Sequence, residues 1–562
     1  MVGSFWRQYK TDILFVTGVV LMAGILMGLM LNPFLTVVNH DSAIFCILAQ
    51  SILKGNYLLV SEPNPQPYFT FPPLLALQLA GLMQLFGNHD PQAMQWVFKG
   101  YIDLLFLASL PLFYAWVRQM MSRRDAMILT PLVAVNPIIF KYSSDILSDT
   151  PYWAFSMLAI YAAWRFQKNQ EPQAVGAGKP MPWFFLTVLM IILCALTRQI
   201  GVALVVAFLA TLSLKKQWRL LITAALLFIV TVGGWQSYEH FYRLQHRSDI
   251  SSLNQQGVQE VLDKSPIKLE YVKHFLVDRP VDLDQNRMQT TPAILLQNMA
   301  DRVEAYTKIS LDHLLPGFKS KGHKVNLTHL WPLMALFWLL VFTGLWNLLR
   351  RFPFAGLYIC VYMGVLLVYP YISQRFLLPV FPIILLCTYS GVLTIRDWLS
   401  AKFTLCRKLA SAAVPLFLLL ALTGHLPDTV RWVNAGYQLK KANQGPSLRK
   451  GNKAYYETLL WLKRNTPQNS LIISRKPPVV YFYSGRRSTA FPFTAHQDKL
   501  FAYIQEKRER YGKQFPHIYI FEDNVFGSST RYLKPTVEKY QDHLSLVYTD
   551  SVTQSRVWLL KD

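Results

Sequence analysis

Four charged residues in this chain stand where charge is costly: Asp41, Asp149, Arg198 and Arg375 lie within a few residues of long apolar runs. An ionisable side chain at such a boundary needs a partner or a task. Asp41 follows His40 in the stretch NHDSAIFC, just after the first apolar run, and Asp145 and Asp149 lie in KYSSDILSDTPYW. A carboxylate so placed can take a proton from a hydroxyl. It can also do no more than cap a helix, and Asp149-Thr150-Pro151 suits that role too. Arg198, in LTRQIG, and Arg375, in YPYISQRFLLPVFP, bring guanidinium groups that can grip phosphate through parallel hydrogen bonds; the plainer alternative is that they anchor helix ends at the water boundary. Arg375 is the sole charge in its apolar tract. His40, Lys54, Asp145, Tyr68 and Tyr369 join these as candidate substrate contacts. No dinucleotide or P-loop glycine pattern, HExxH or nucleophile-elbow serine motif occurs.

The elements that must hold these residues are set by composition. The chain has 562 residues, 52% hydrophobic and 16% charged, which places it among polytopic membrane proteins rather than soluble enzymes or disordered chains. Its formal charge of +24 is not the mark of a nucleic-acid binder, because the Lys and Arg residues gather at the ends of apolar spans. The five cysteines, Cys46, Cys194, Cys360, Cys387 and Cys406, follow no metal or disulfide spacing and read as small buried hydrophobes.

Eleven segments are long and apolar enough to cross about 30 Å of hydrocarbon: 13–33, 95–117, 126–140, 150–164, 183–197, 199–214, 219–235, 330–349, 355–370, 376–395 and 409–425. The first reads as an uncleaved helix, and only Thr197-Arg198 separates the fifth from the sixth, which predicts a tight hairpin. With the N-terminus inside, seventeen Lys and Arg residues fall on inner segments, against Lys141, Arg198 and Arg375 in the short outer loops. The positive-inside rule therefore fixes the expected topology. Residues 1–425 form the expected membrane module. Its first outer loop, 34–94, carries juxtamembrane helices and a Pro-rich strip, and its large outer loop spans 236–329, with a helical pattern near Ala293 to Leu315 and a weak sequon at Asn326. Residues 426–562 form an expected small outer α/β domain: a helix at Lys453–Arg464, then strands at Ser470–Ser474, Val479–Tyr483, His517–Phe521, Leu544–Tyr548 and Arg556–Leu560.

The order of short motifs resembles the GT-C superfamily of membrane glycosyltransferases, in its bacterial branch related to protein O-mannosyltransferases and the aminoarabinose transferase of lipid A. The likeness runs through an acid after span one (Asp41), Leu-x-x-Gly-Asn-Tyr, Pro72-Pro73-Leu74 and Leu85-Phe86-Gly87-Asn88. It continues in Ser148-Asp149-Thr150-Pro151, Leu196-Thr197-Arg198-Gln199-Ile200-Gly201, Gln374-Arg375-Phe376-Leu377-Leu378-Pro379, Trp461-Leu462 with Asn465-Thr466-Pro467, and Tyr481-Phe482-Tyr483-Ser484-Gly485-Arg486, so nearly the whole chain is covered. The resemblance implies a multi-pass enzyme of the bacterial inner membrane, with its C-terminal domain outside. Such an enzyme moves a sugar from a polyprenyl-phosphate donor to a lipid, glycan or protein acceptor. Asp41 would be the base or a metal-linked acid, Asp149 the second acid, and Arg375 and Arg198 would meet the lipid phosphate. The resemblance makes no cofactor certain, and a divalent metal (magnesium or manganese) on Asp41 and Asp149 stays open. Phe71 stands where relatives of the lipid A branch carry a Lys before Pro-Pro. An inverting displacement would put Asp41 and Arg375 on opposite sides of one cavity. A flippase for lipid-linked sugars, a membrane phosphotransferase and a non-catalytic scaffold are the alternatives.

Overall fold

The computed structural model describes residues 2–37, 40–143, 145–170, 179–245, 292–314, 331–369, 372–402 and 407–561. Cys406, the sequon at Asn326 and most of the large outer loop lie outside them. Among the described residues, eight helices are long and apolar enough to span a membrane: Lys10–Met30, Gln95–Met120, Arg123–Tyr142, Pro180–Thr197, Trp218–Tyr242, Trp331–Arg351, Phe381–Lys402 and Ala412–Ala442. The other three expected spans are also helices, but Gln199–Leu214 and Pro353–Val368 fall short in length. Asp149–Lys168 has 20 residues and carries more polar groups. Apolar helices are forced here because lipid offers no partner for backbone N–H and C=O groups.

In chain order, α1 (Val2–Met30) leads to α2 (His40–Leu53) and α3 (Leu74–Leu85), which pack on each other in the segment between α1 and the next long helix. The bundle continues with α4 (Gln95–Met120), α5 (Arg123–Ala134), the short α6 (Pro137–Tyr142), α7 (Asp149–Lys168), α8 (Pro180–Thr197), α9 (Val202–Leu214), α10 (Trp218–Phe228) and α11 (Gly234–Gln245). A capping box of Ser122 and Asp125 opens α5, and Asn136 caps α6 by accepting from Ile138 N at 2.9 Å. The expected hairpin at Thr197-Arg198 is a turn of one extended residue and a 3₁₀ turn, after which the helices part: α8 packs chiefly on α7, and α9 on Pro353–Val368. A Cβ on Gly201 would sit 2.6 Å from the Ala195 backbone, so the turn needs glycine.

After the large loop come α12 (Pro292–Leu314), which matches the helical pattern read there, α13 (Trp331–Arg351), α14 (Pro353–Val368), α15 (Phe381–Lys402) and α16 (Arg407–Ala442). Helices α13 and α15 cross at two glycines, where a Cβ on Gly344 would meet Cys387 O at 1.8 Å and one on Gly391 would meet Leu340 O at 2.1 Å. Small residues at such crossings let membrane helices approach closely. Helix α16 runs straight through the expected boundary at 425/426 and ends at Ala442.

The C-terminal part has α17 (Lys450–Asn465) and a five-stranded sheet of order β2-β1-β3-β5-β4, with β1 (Ser470–Ser474), β2 (Arg487–Ala490), β3 (His517–Glu522), β4 (Leu544–Thr549) and β5 (Arg556–Leu560). Strands β2, β1 and β3 are parallel, and β5 and β4 add antiparallel. Four strands match expectation. Val479–Tyr483 does not: it lies in helix α18 (Pro477–Ser484), and the missing strand is Arg487–Ala490. Two prolines at the first helical positions and Gly485 at φ 72° behind Ser484 frame that helix, overriding the β-preferring Val-Val-Tyr-Phe-Tyr. Helices α17 and α18 cover one face of the sheet, and α19 (Gln497–Tyr511) with α20 (Lys534–Lys539) the other. The first face shares one apolar core with the outer loop, from Leu35, Ala43 and Leu75 through Tyr455 and Val479 to Phe521.

Candidate active site

Five chain segments end together at one side of the bundle, and each brings one of the singled-out side chains. The first turn of α2 carries His40 and Asp41; the first turn of α7 carries Asp149; the break between α8 and α9 carries Arg198; and a 3₁₀ turn, Gln374–Leu377, carries Arg375. The fifth, the end of α6, supplies Lys141 and Tyr142. Arg375 Nη2 lies 2.6 Å from Asp41 Oδ2, with side-chain exposures of 21% and 10%. Arg198 pairs with the buried Asp149. Both guanidinium groups stand over the same ring, that of Phe376, at 5.9 Å for Arg198 and 5.5 Å for Arg375. Such a face attracts cations. Tyr369 meets the ring edge-on at 5.4 Å, and the buried Tyr362 hydroxyl donates to Phe376 O at 2.7 Å. Burial alone would lower the basicity of Arg375, but the carboxylates of Asp41 and Asp149 outweigh it and hold the guanidinium charged. Asp41, Asp149, Arg198 and Arg375 therefore form one electrostatic unit.

The surrounding contacts fix where Asp41 stands. Nε2 of His40 is 3.5 Å from Asp41 Oδ1. Asp145 accepts from Thr36, and the next residue, Ile146, donates its N–H to Ser42 Oγ at 3.1 Å, so the loop before α7 is tied to the start of α2. Lys141 donates to Gln374 Oε1 at 2.8 Å, joining α6 to the Arg375 turn. From α4, the buried Lys99 donates to the connector that follows α1, to Asn32 O at 3.2 Å, Asn32 Oδ1 at 3.1 Å and also Phe34 O. Lys99 and Phe376 were not among the sequence candidates. A lysine inside an apolar span was the available signal for the first; an aromatic between two site arginines becomes informative only once they converge.

One candidate, Lys54, sits elsewhere. Lys54 is exposed beyond the far end of α2, about 20 Å along the helix from Asp41. Tyr68 packs edge-on to Phe71 at 5.4 Å, and Phe71 stacks on Phe45 at 4.6 Å. The position where lipid A relatives carry a lysine is thus filled by a core aromatic. The expectation that Asp41 and Arg375 face each other across a cavity is also corrected: they touch. Opposite charges at the edge of a low-dielectric bundle lower their desolvation cost by pairing. Among the described residues no group of three or more His, Cys, Asp and Glu side chains could hold a metal. Asp41 and Asp149, the two carboxylates considered for a divalent ion, each engage an arginine in this structure.

The architecture is that of known membrane glycosyltransferases. The chain superposes on ArnT from Cupriavidus metallidurans bound to undecaprenyl phosphate with a TM-score of 0.53, at 12% identity, covering 98% of both chains. It superposes on the Archaeoglobus fulgidus oligosaccharyltransferase tethered with an acceptor peptide with a TM-score of 0.55, at 13% identity, covering 98% of this chain and 74% of that one. The same archaeal enzyme has been solved in complex with Zn and sulfate. No protein-family model matches the sequence, and no curated protein matches it. This chain is therefore a multi-pass membrane protein with the GT-C fold, and ArnT-like structures are among its neighbours.

Proposed function

We propose that the protein is a glycosyltransferase that takes a sugar from a polyprenyl-phosphate carrier and transfers it to an acceptor at the outer face of a bacterial inner membrane. The observation that carries this reading is the convergence of two acid–arginine pairs on Phe376 at the end of the bundle. A structural neighbour that binds undecaprenyl phosphate supports the donor class. The excess of basic residues on alternate loops supports an inside N-terminus and an outside site.

In this mechanism Arg375 leaves Asp41 and, with Arg198, takes the lipid phosphate. The exchange frees Asp41 to accept the proton of the acceptor hydroxyl. The acceptor oxygen then bonds to the anomeric carbon as the carbon–oxygen bond to phosphate breaks, and the two guanidinium groups stabilise the charge gathering on the departing phosphate. Asp149 holds Arg198 in place for that task. In this reading His40 and Tyr369 contact the sugar or acceptor, which their positions beside Asp41 and Phe376 support. No step passes through a metal. The residues after Ala442 form the outer domain in this reading.

The test is transfer of radiolabelled sugar from a panel of polyprenyl-phosphate sugars in membranes holding wild type or Asp41→Asn. Transfer lost in the variant at equal protein level is expected and would identify the donor. Movement of lipid-linked sugar across the bilayer without transfer would replace this reading with a transporter.

A further inference from the structure

The sheet of the outer domain changes direction between β1 and β3. From β1 the chain crosses through α18 to β2 on one side; from β2 it returns through α19 to β3 on the other, and β3 then leads away towards β4. Helices α18 and α19 cover opposite faces. In open α/β sheets such a reversal leaves a crevice beyond the carboxyl ends of the two adjacent parallel strands, and ligands bind there. The residues that follow β1 are Arg475 and Lys476; those that follow β3 are Asp523 to Ser529.

The side chains at these two strand ends hold one another in place. Asp523, fully buried, accepts from Val525 N at 3.2 Å and Phe526 N at 2.8 Å through Oδ1 and from the Ser529 hydroxyl through Oδ2, which shapes the loop. Arg475 Nε donates to Ser528 Oγ at 2.6 Å, and its guanidinium lies 4.6 Å over the ring of Phe493. The Lys476 ammonium lies 4.8 Å over the ring of Phe526. Two long cations held on rings lose less freedom when a ligand arrives. Pro477 and Pro478 begin α18 and have no N–H, so recognition falls to these side chains and not to the helix start. After residue 425 the chain has 22 Lys and Arg against 11 Asp and Glu, a balance that favours an anionic partner.

We propose that the β1/β3 crevice is a phosphate-recognising subsite, with Arg475, Lys476 and Ser528 as its contacts, separate from the Arg198–Arg375 cluster. Its ligand is a phosphorylated group; that this group belongs to the acceptor rests on the transferase reading, whereas the binding itself does not.

The experiment follows amide hydrogen exchange in the full-length protein on addition of inorganic pyrophosphate or of vesicles containing phosphatidylglycerol. Slower exchange over 475–476 and 523–529 is expected, and a Lys476→Gln/Ser528→Ala variant should weaken this protection by about tenfold in ligand concentration. Lys476 and Ser528 are partly exposed, and an unchanged exchange pattern without ligand shows that the variant folds. Protection by pyrophosphate assigns a soluble phosphate, and protection by vesicles alone assigns a lipid headgroup. Protection confined to the segments around Arg198 and Arg375, or equal protection in the variant, overturns the proposal. Because no sugar transfer is measured, the result stands apart from the outcome of the Asp41→Asn assay.

Discussion

The sharpest consequence of the Asp41–Arg375 contact is that Asp41→Asn should separate turnover from donor binding. Asparagine keeps the shape of aspartate but can neither take a proton nor hold the guanidinium as an ion pair. Loss of a positioned general base lowers the rate by roughly 10²–10⁴-fold, or about 3–5 kcal/mol in the barrier. The contact is 2.6 Å long, with a tenth of the Asp41 side chain and a fifth of the Arg375 side chain in water. Breaking a fully buried pair costs about 3–5 kcal/mol; partial exposure and the remaining amide–guanidinium hydrogen bond reduce this to about 1–2 kcal/mol of stability. The donor phosphate, however, must compete with Asp41 for Arg375. Removing that competitor should lower KM for the lipid donor by a few-fold even as kcat collapses. Initial rates over a range of donor concentrations, with thermal unfolding in detergent as a control, measure both. If Asp41→Asn keeps more than about a tenth of wild-type kcat, or if its whole defect lies in a raised KM, Asp41 only anchors Arg375 and the base assignment fails.

Three further outcomes follow from other parts of the molecule. Lys54→Gln should leave transfer within about twofold of wild type, since Lys54 is exposed at the other end of α2; a large loss would move the substrate path along that helix. Gly344→Ala should lower the unfolding temperature, at about 1–3 kcal/mol, because its Cβ would meet Cys387 O at 1.8 Å, whereas Gly364→Ala, with open space around it, should not. Glu62 sits where the first outer loop joins β2: Ser488 N donates to Ser61 O at 2.8 Å, and burial pushes the Glu62 carboxyl up to about 7 despite Thr489, Lys507 and Arg487. A carboxyl raised in the folded state binds more protons folded than unfolded, so its contribution is present below pH 4.5 and is lost as pH rises through about 7. Unfolding of the outer domain should therefore show a stability loss on the order of 1 kcal/mol between pH 5 and 7.5 that Glu62→Gln removes.

The fold was legible because its signals are strong and local. Long apolar runs with basic ends specify helices and their direction, and alternation of sides then puts Asp41, Asp149, Arg198 and Arg375 at one end of the bundle whatever the packing. What alternation cannot supply is distance. Lys54 and Asp41 belong to the same segment between two spans, yet the length of α2 separates them. In the same way, Val479–Tyr483 carries the composition of a strand, and only its Pro-Pro and Gly boundaries mark a helix. The Arg375–Asp41 contact belongs to this class of tertiary facts. The demand that base and phosphate-binding cation stand on opposite sides of the sugar concerns the reacting complex, and the ion pair concerns the protein before the donor arrives. Both hold only if Arg375 changes partner. In the proposed mechanism that change is a pivot of the guanidinium from carboxylate to phosphate, and the observations that favour it are its place in a 3₁₀ turn between two helices and the Phe376 ring it shares with Arg198.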